Sequence, residues 1–118
     1  MPEDLSETRR ITLGSAMAQL PGADGQRFAT LFRHGTLLVE IYAPLGTDPQ
    51  QPHTRDEVYV VAQGNGEFIA GDLRVSFAQG DFLFAPAGEI HRFENFSDDL
   101  AVWVLFYGPE SGEADSET

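Results

Sequence analysis

Gly80-Asp81-Phe82-Leu83-Phe84-Ala85-Pro86-Ala87-Gly88-Glu89-Ile90-His91-Arg92-Phe93-Glu94-Asn95 is the stretch on which the reading of this chain turns. From Gly80 to Ala85 a short apolar run has strand character. Pro86, Ala87 and Gly88 carry the chemistry of a tight turn, and His91 opens a second strand.

The same alternation of strand and turn continues outward in both directions. Runs rich in Val, Ile, Leu, Phe and Tyr occur at 27–33, 37–43, 58–62, 67–70, 73–77, 82–85, 90–94 and 101–107. Between them lie His34-Gly35, the proline-rich stretch 44–52, Gly64-Asn65-Gly66, Gly71-Asp72, Gln79-Gly80 and Ser97-Asp98-Asp99, all hairpin or loop signals. No segment keeps a 3.6-residue period over three turns, and 15–20 is the one short helical candidate. Many short strands at regular spacing predict an all-β sandwich or barrel. The predicted organisation is an irregular N-terminal arm over 1–13, one domain over 14–109 and an acidic, disordered tail over 110–118 with no apolar anchor.

A second group of chemically capable residues lies upstream in Gln51-Pro52-His53-Thr54-Arg55-Asp56-Glu57, with Gly64 seven residues after the glutamate. Gln51 and His53 share strand parity, and Glu57 joins them if the chain stays extended. Two imidazoles and a carboxylate (His53, His91 and Glu57) form a donor set suited to Fe, and equally to Mn, Co, Ni or Zn.

Taken together, the two segments resemble the cupin superfamily. Its second motif, Gly-x5-Pro-x-Gly-x2-His-x3-Asn, is met at Gly80, Pro86, Gly88, His91 and Asn95. A chance match is on the order of 10⁻⁵ from average residue usage. The first motif, His-x-His-x3-Glu-x6-Gly, is met at His53, Glu57 and Gly64, but Gln51 stands at its first histidine, and Gly46 is displaced by one residue. The resemblance spans 37–107. It implies an antiparallel jelly-roll barrel holding one divalent metal ion in its mouth, with His53, Glu57 and His91 at ligand positions. Gln51 then either coordinates through its amide oxygen or stands back and hydrogen-bonds a water or ligand. Gly80, Pro86 and Gly88 serve turn geometry, so they support the fold even in a cupin that has lost its metal.

Parity along the strands nominates the residues around such a site. Tyr42, Tyr59, Phe93 and Trp103 are the candidates for substrate binding, the two tyrosines foremost because each has a hydroxyl to donate. Glu40 and Arg55 read as solvated, Arg92 as pointing away from His91, and His34 as a surface residue beside a turn. The last strand is apolar on both faces, which predicts a homodimer packed through it and through 27–43.

Composition bounds the function. Apolar residues are 42% of the 118-residue chain, enough for one buried core. With no cysteine, neither a disulfide framework nor a thiolate metal site is available. Nineteen acidic residues against seven arginines give a net charge of −12, which argues against nucleic acid and anionic membranes as partners. No apolar run reaches membrane-span length, and the acidic N-terminus is unlike a signal peptide, so a cytoplasmic location is expected and the Asn95-Phe96-Ser97 sequon is incidental. There is no nucleophile elbow or phosphate loop. The expectation is a metal-dependent enzyme acting on a small organic molecule, a dioxygenase, isomerase or lyase. The alternative is a non-catalytic module that binds a small molecule.

Overall fold

Eight short segments of alternating burial pair into two antiparallel sheets in the computed structural model, which describes residues 8–114. They are β1 (Phe28–His34), β2 (Leu37–Tyr42), β3 (Asp56–Gln63), β4 (Gly66–Ala70), β5 (Leu73–Phe77), β6 (Phe82–Ala85), β7 (His91–Glu94) and β8 (Ala101–Tyr107). One sheet has the order β1-β2-β8-β3-β6 and the other β5-β4-β7. All eight strands expected from the sequence are present, with ends moved by a residue or two. The helical candidate is a five-residue helix, α1 (Leu13–Met17), capped by the Thr12 side chain, which accepts from the Ser15 amide. Among the described residues no helix is long and apolar enough to cross a membrane.

The sheets close on each other because one face of each is apolar. Tyr59, Val61, Phe68, Ala70, Phe77, Leu83, Ala85, Phe93, Leu100, Val102 and Val104 form a continuous buried core between them. Its centre is aromatic: Phe93 meets Tyr59 at 5.0 Å and both Phe68 and Phe77 at 5.5 Å between ring centroids. Such edge-to-face and tilted arrangements suit the charge distribution of the rings.

A second cluster lies on the outer face of the larger sheet, where Leu31, Ile41, Ala43 and Ala101 pack with Ala16 and with Ile11, Leu13, Met17, Leu20 and Trp103. The N-terminal segment thus covers part of the second apolar face of β8, so that much of its two-sided hydrophobicity is satisfied within one chain. Trp103, expected at the pocket, belongs to this outer cluster. Val102, Val104 and Phe106 take the inward positions, and alternation turns Trp103 away. The expected tail is described only to residue 114, and that part is tied down. Ser111 N donates to the Thr54 carbonyl at 2.6 Å, and Glu113 N to Asp56 Oδ2 at 2.8 Å.

Two glycines separate backbone strain from crowding. Gly64 and Gly80 both sit at φ +93°, but a Cβ at Gly64 would lie 2.7 Å from Leu100 Cα, whereas one at Gly80 would meet nothing within 4 Å. Gly80→Ala is expected to cost about 1–2 kcal/mol from the left-handed backbone alone. Gly64→Ala adds overpacking of about 1–3 kcal/mol. Urea unfolding of the two variants should show that gap.

Candidate metal centre

Glu57 and His91 come from different sheets and meet where the sheets converge. Glu57 is the second residue of β3 and is paired with Phe106 and Ala85. His91 opens β7 and is paired with Ala70. His53 precedes β3 in an irregular stretch, and its carbonyl accepts a 2.8 Å hydrogen bond from Gly88 N in the turn before β7. One side-chain donor atom from each of His53, Glu57 and His91 lies within 4.8 Å of the others.

The donor atoms of this cluster are short of partners. Both carboxylate oxygens of Glu57 and Nε2 of His91 are buried with no aligned hydrogen bond, although His91 Nε2 is 2.8 Å from Glu57 Oε1. His53 Nε2 is 3.7 Å from the same oxygen, on a side chain 38% exposed. Nδ1 of His91 lies 2.9 Å from the Glu89 carbonyl, which can only accept, so Nδ1 carries a proton and Nε2 faces the cluster. Burial opposes a charge on His91. The Glu57 carboxylate, the Glu89 carbonyl and the Asp48 charge outweigh it, so its pKa stands above the ordinary value. A buried carboxylate whose close polar neighbours include two imidazole nitrogens calls for a positive charge, supplied by a proton on His91 or by a metal ion. Two imidazoles and one carboxylate fit a divalent ion with coordination positions left over.

A cavity of about 760 Å³ opens onto this cluster, within the usual range for small-molecule sites. His53 and Glu57 belong to its wall; so do Tyr42 and Glu40. Glu40, expected to be solvated, is half-buried there. Burial and then the Glu57 charge push its pKa above the ordinary carboxylate value, against a Thr30 hydrogen bond and the Arg33 charge. Its signal was in the sequence: it shares strand parity with Leu38 and Tyr42, which line the same cavity. Arg55, also expected to be solvated, lines the cavity too.

Gln51 is exposed and does not line the cavity, and its neighbour Gln50 turns inward. The two-residue parity expected for 51 and 53 fails because 47–53, with prolines at 49 and 52, is not a strand. Gln50 Oε1 accepts from the Tyr59 hydroxyl at 2.9 Å, and its Nε2 donates to Asp48 Oδ2 at 2.7 Å. Asp48 also accepts from the Tyr42 hydroxyl and, at 2.7 Å, from Phe93 N. Burial first, then Asp48, raises the Tyr42 pKa; burial, then Glu57, raises that of Tyr59. Of the four aromatic candidates, Tyr42 lines the cavity, while Tyr59 and Phe93 are fully buried in the core behind it. Asn95 takes a left-handed turn conformation, φ 51°, and its amide donates to Glu67 Oε1 at 2.7 Å. His34 is exposed, and Arg92 bonds Glu94 outside the cluster.

A family model described as a cupin domain matches residues 38–107. An uncharacterized protein of Streptomyces coelicolor is 37% identical over 105 residues, 87% of this chain and 99% of that protein. Among solved structures, a cupin-2 domain protein from Shewanella frigidimarina superposes with a TM-score of 0.66 at 13% identity, covering 83% of this chain and 94% of that one. A cupin superfamily protein from Desulfitobacterium hafniense gives 0.64 at 14% identity, covering 91% and 97%. At such identities the structural likeness speaks for the fold.

Asp48 is where the loop over the cavity joins the core. Asp48→Ala removes the acceptor of the Phe93 amide and frees Tyr42 and Gln50, and it is expected to cost about 2–4 kcal/mol in urea unfolding. Tyr42→Phe should cost about 1 kcal/mol or less, since it removes one bond of a residue that already reaches the cavity.

Proposed function

The chain belongs to the cupin domain family, and from that premise we propose that it holds one divalent metal ion through His53, Glu57 and His91 and acts on a small organic molecule bound in the adjoining cavity. The observation that carries this reading is the convergence of buried, unpartnered donor atoms from both sheets beside a cavity of ligand size. The lack of cysteine accords with work in the cytoplasm.

When bound, a divalent ion at this point supplies Lewis-acid polarisation of a substrate oxygen or, if it is iron, redox chemistry. The chain's own residues do the rest. Glu57, the one carboxylate of the donor set, balances positive charge. The Glu89 carbonyl orients His91. Glu40, with its raised pKa and its place on the cavity wall, is the group able to hold or pass a proton near the substrate.

Metal analysis tests the reading. Protein prepared without chelator is expected to carry roughly one ion per chain. His91→Ala and Glu57→Gln should each weaken metal affinity at least ~100-fold, beyond what removal of a supporting partner does. Gln51→Ala and Gln51→His should leave it unchanged, because that side chain faces solvent. Full affinity in His91→Ala, measured by calorimetry on stripped protein, would sink the assignment.

We further propose that a second copy of the chain covers the outer face of β3 and β6. Phe82 and Phe84 are 66% and 42% exposed, and they sit opposite Val60 and Val58. These pair onward with Trp103 and Leu105 of β8, which makes an apolar band across three strands. Sedimentation should find a dimer at micromolar concentration, and the double change Phe82→Glu with Phe84→Glu should leave a folded monomer.

A further inference from the structure

We infer that the cavity selects a small organic acid: Arg55 holds the ligand's carboxylate, and the apolar lining takes its hydrocarbon body. Arg55 and Arg27 both line the cavity, but their backbone anchors lie at opposite ends of β2, so Arg55 acts alone. Arg55 is fixed by one bond, Nε to the Gly108 carbonyl at 3.1 Å, while its Nη2 is buried with no partner. Arg27 is likewise held by a backbone carbonyl, that of Ala43, at 2.8 Å from Nε. Neither makes an ion pair among the described residues, whereas Arg74 is paired with Glu67 and Glu94, and Arg92 with Glu94.

In a chain with nineteen acidic residues and seven arginines, a cavity-lining guanidinium outside ion-pair distance of every described carboxylate, Glu40 and Glu57 of the same lining included, is against expectation. A buried guanidinium nitrogen left unbonded is costly, and a planar carboxylate is the group whose geometry and charge match it best. The rest of the ligand is set by the apolar part of the lining, where Leu38, Val104, Phe106, Phe28 and Leu45 offer hydrocarbon surface. An acid with an aliphatic or aromatic body therefore fits better than a sugar or a nucleotide. The inference deepens the metal-site reading and rests on it for the identity of the reacting end. Acid selectivity itself belongs to Arg55 and is measurable without metal.

The test uses metal-stripped full-length protein and two matched pairs, phenylacetate with phenylacetamide and 4-methylpentanoate with 4-methylpentanamide, titrated by NMR. Each acid is expected to bind at least ~10-fold more tightly than its amide, since a charge-assisted fork is exchanged for a neutral contact. Arg55→Gln should bring the ratio close to one, and Arg55→Lys, which keeps the charge but not the fork, should keep part of it. Arg27→Gln, a change anchored at the other end of β2, should leave the ratio unchanged. Thermal melting checks that each variant is folded, and metal uptake by Arg55→Gln should equal that of the wild type. Equal binding of acid and amide, failure of both acids to bind, or a full preference surviving in folded Arg55→Gln would each overturn the inference. Acid preference in a protein that takes up no metal would instead defeat the metal reading alone. Equal binding in a protein that does take up metal would defeat this inference alone.

Discussion

Two amide groups on one tight turn join parts of the chain that belong to different sheets. Gly88 N donates to the His53 carbonyl at 2.8 Å, and Ala87 N donates to Asp56 Oδ1 at 2.9 Å. The turn leads into β7, which carries His91; the segment it grips leads into β3, which carries Glu57. Gly88 sits at φ +81°, a conformation that side chains other than glycine resist. A backbone requirement at one residue thus fixes the distance between three side chains, and the glycine that serves the fold serves the donor cluster as well.

Charge is distributed around that stitch in an uneven way. Burial opposes a charge on His91, but the Glu57 carboxylate, the Glu89 carbonyl and the Asp48 charge outweigh it and set its pKa above the ordinary value, while Glu40 feels the same Glu57 charge from the cavity wall. Arg27 and Arg55 line the same cavity without an ion pair among the described residues. The donor cluster calls for a cation and the unbonded Arg55 nitrogen for an anion, a polarity that would orient a ligand with a charged end before any chemistry occurs.

Much of this was legible in the sequence, and the failures have a common cause. Every strand was visible because apolar alternation and turn residues are local signals, and His53, Glu57 and His91 were nominated by the motif spacing that resembles cupins, which does not depend on the irregular stretch around His53 being a strand. The errors came where the chain leaves regular structure or where distant segments decide burial. Gln51 was placed by strand parity in a stretch that Pro49 and Pro52 keep irregular, and Gln50 turns inward instead. Trp103 has the right residue type for a pocket, yet it is claimed by an N-terminal segment some ninety residues away in sequence. Asp48 carried no signal for its central role, because Tyr42 and Gln50 lie near it in sequence but the Phe93 amide, which ties the loop to the other sheet, is brought to it only by the tertiary fold.

Asp56 has a second acceptor oxygen, and what it holds changes where the folding unit ends. Oδ1 secures the turn at Ala87, Oδ2 secures Glu113, and Gly112 packs so closely that a Cβ there would stand 2.8 Å from Oδ1. The family match stops at residue 107, and on the other side it begins at 38, after the segment that shelters Trp103. A protease or a gene fusion that respected those limits would excise a barrel lacking a sheath on one face and a clasp beside its donor cluster. The contacts that brace the barrel and its donor cluster therefore extend past both limits of the family match.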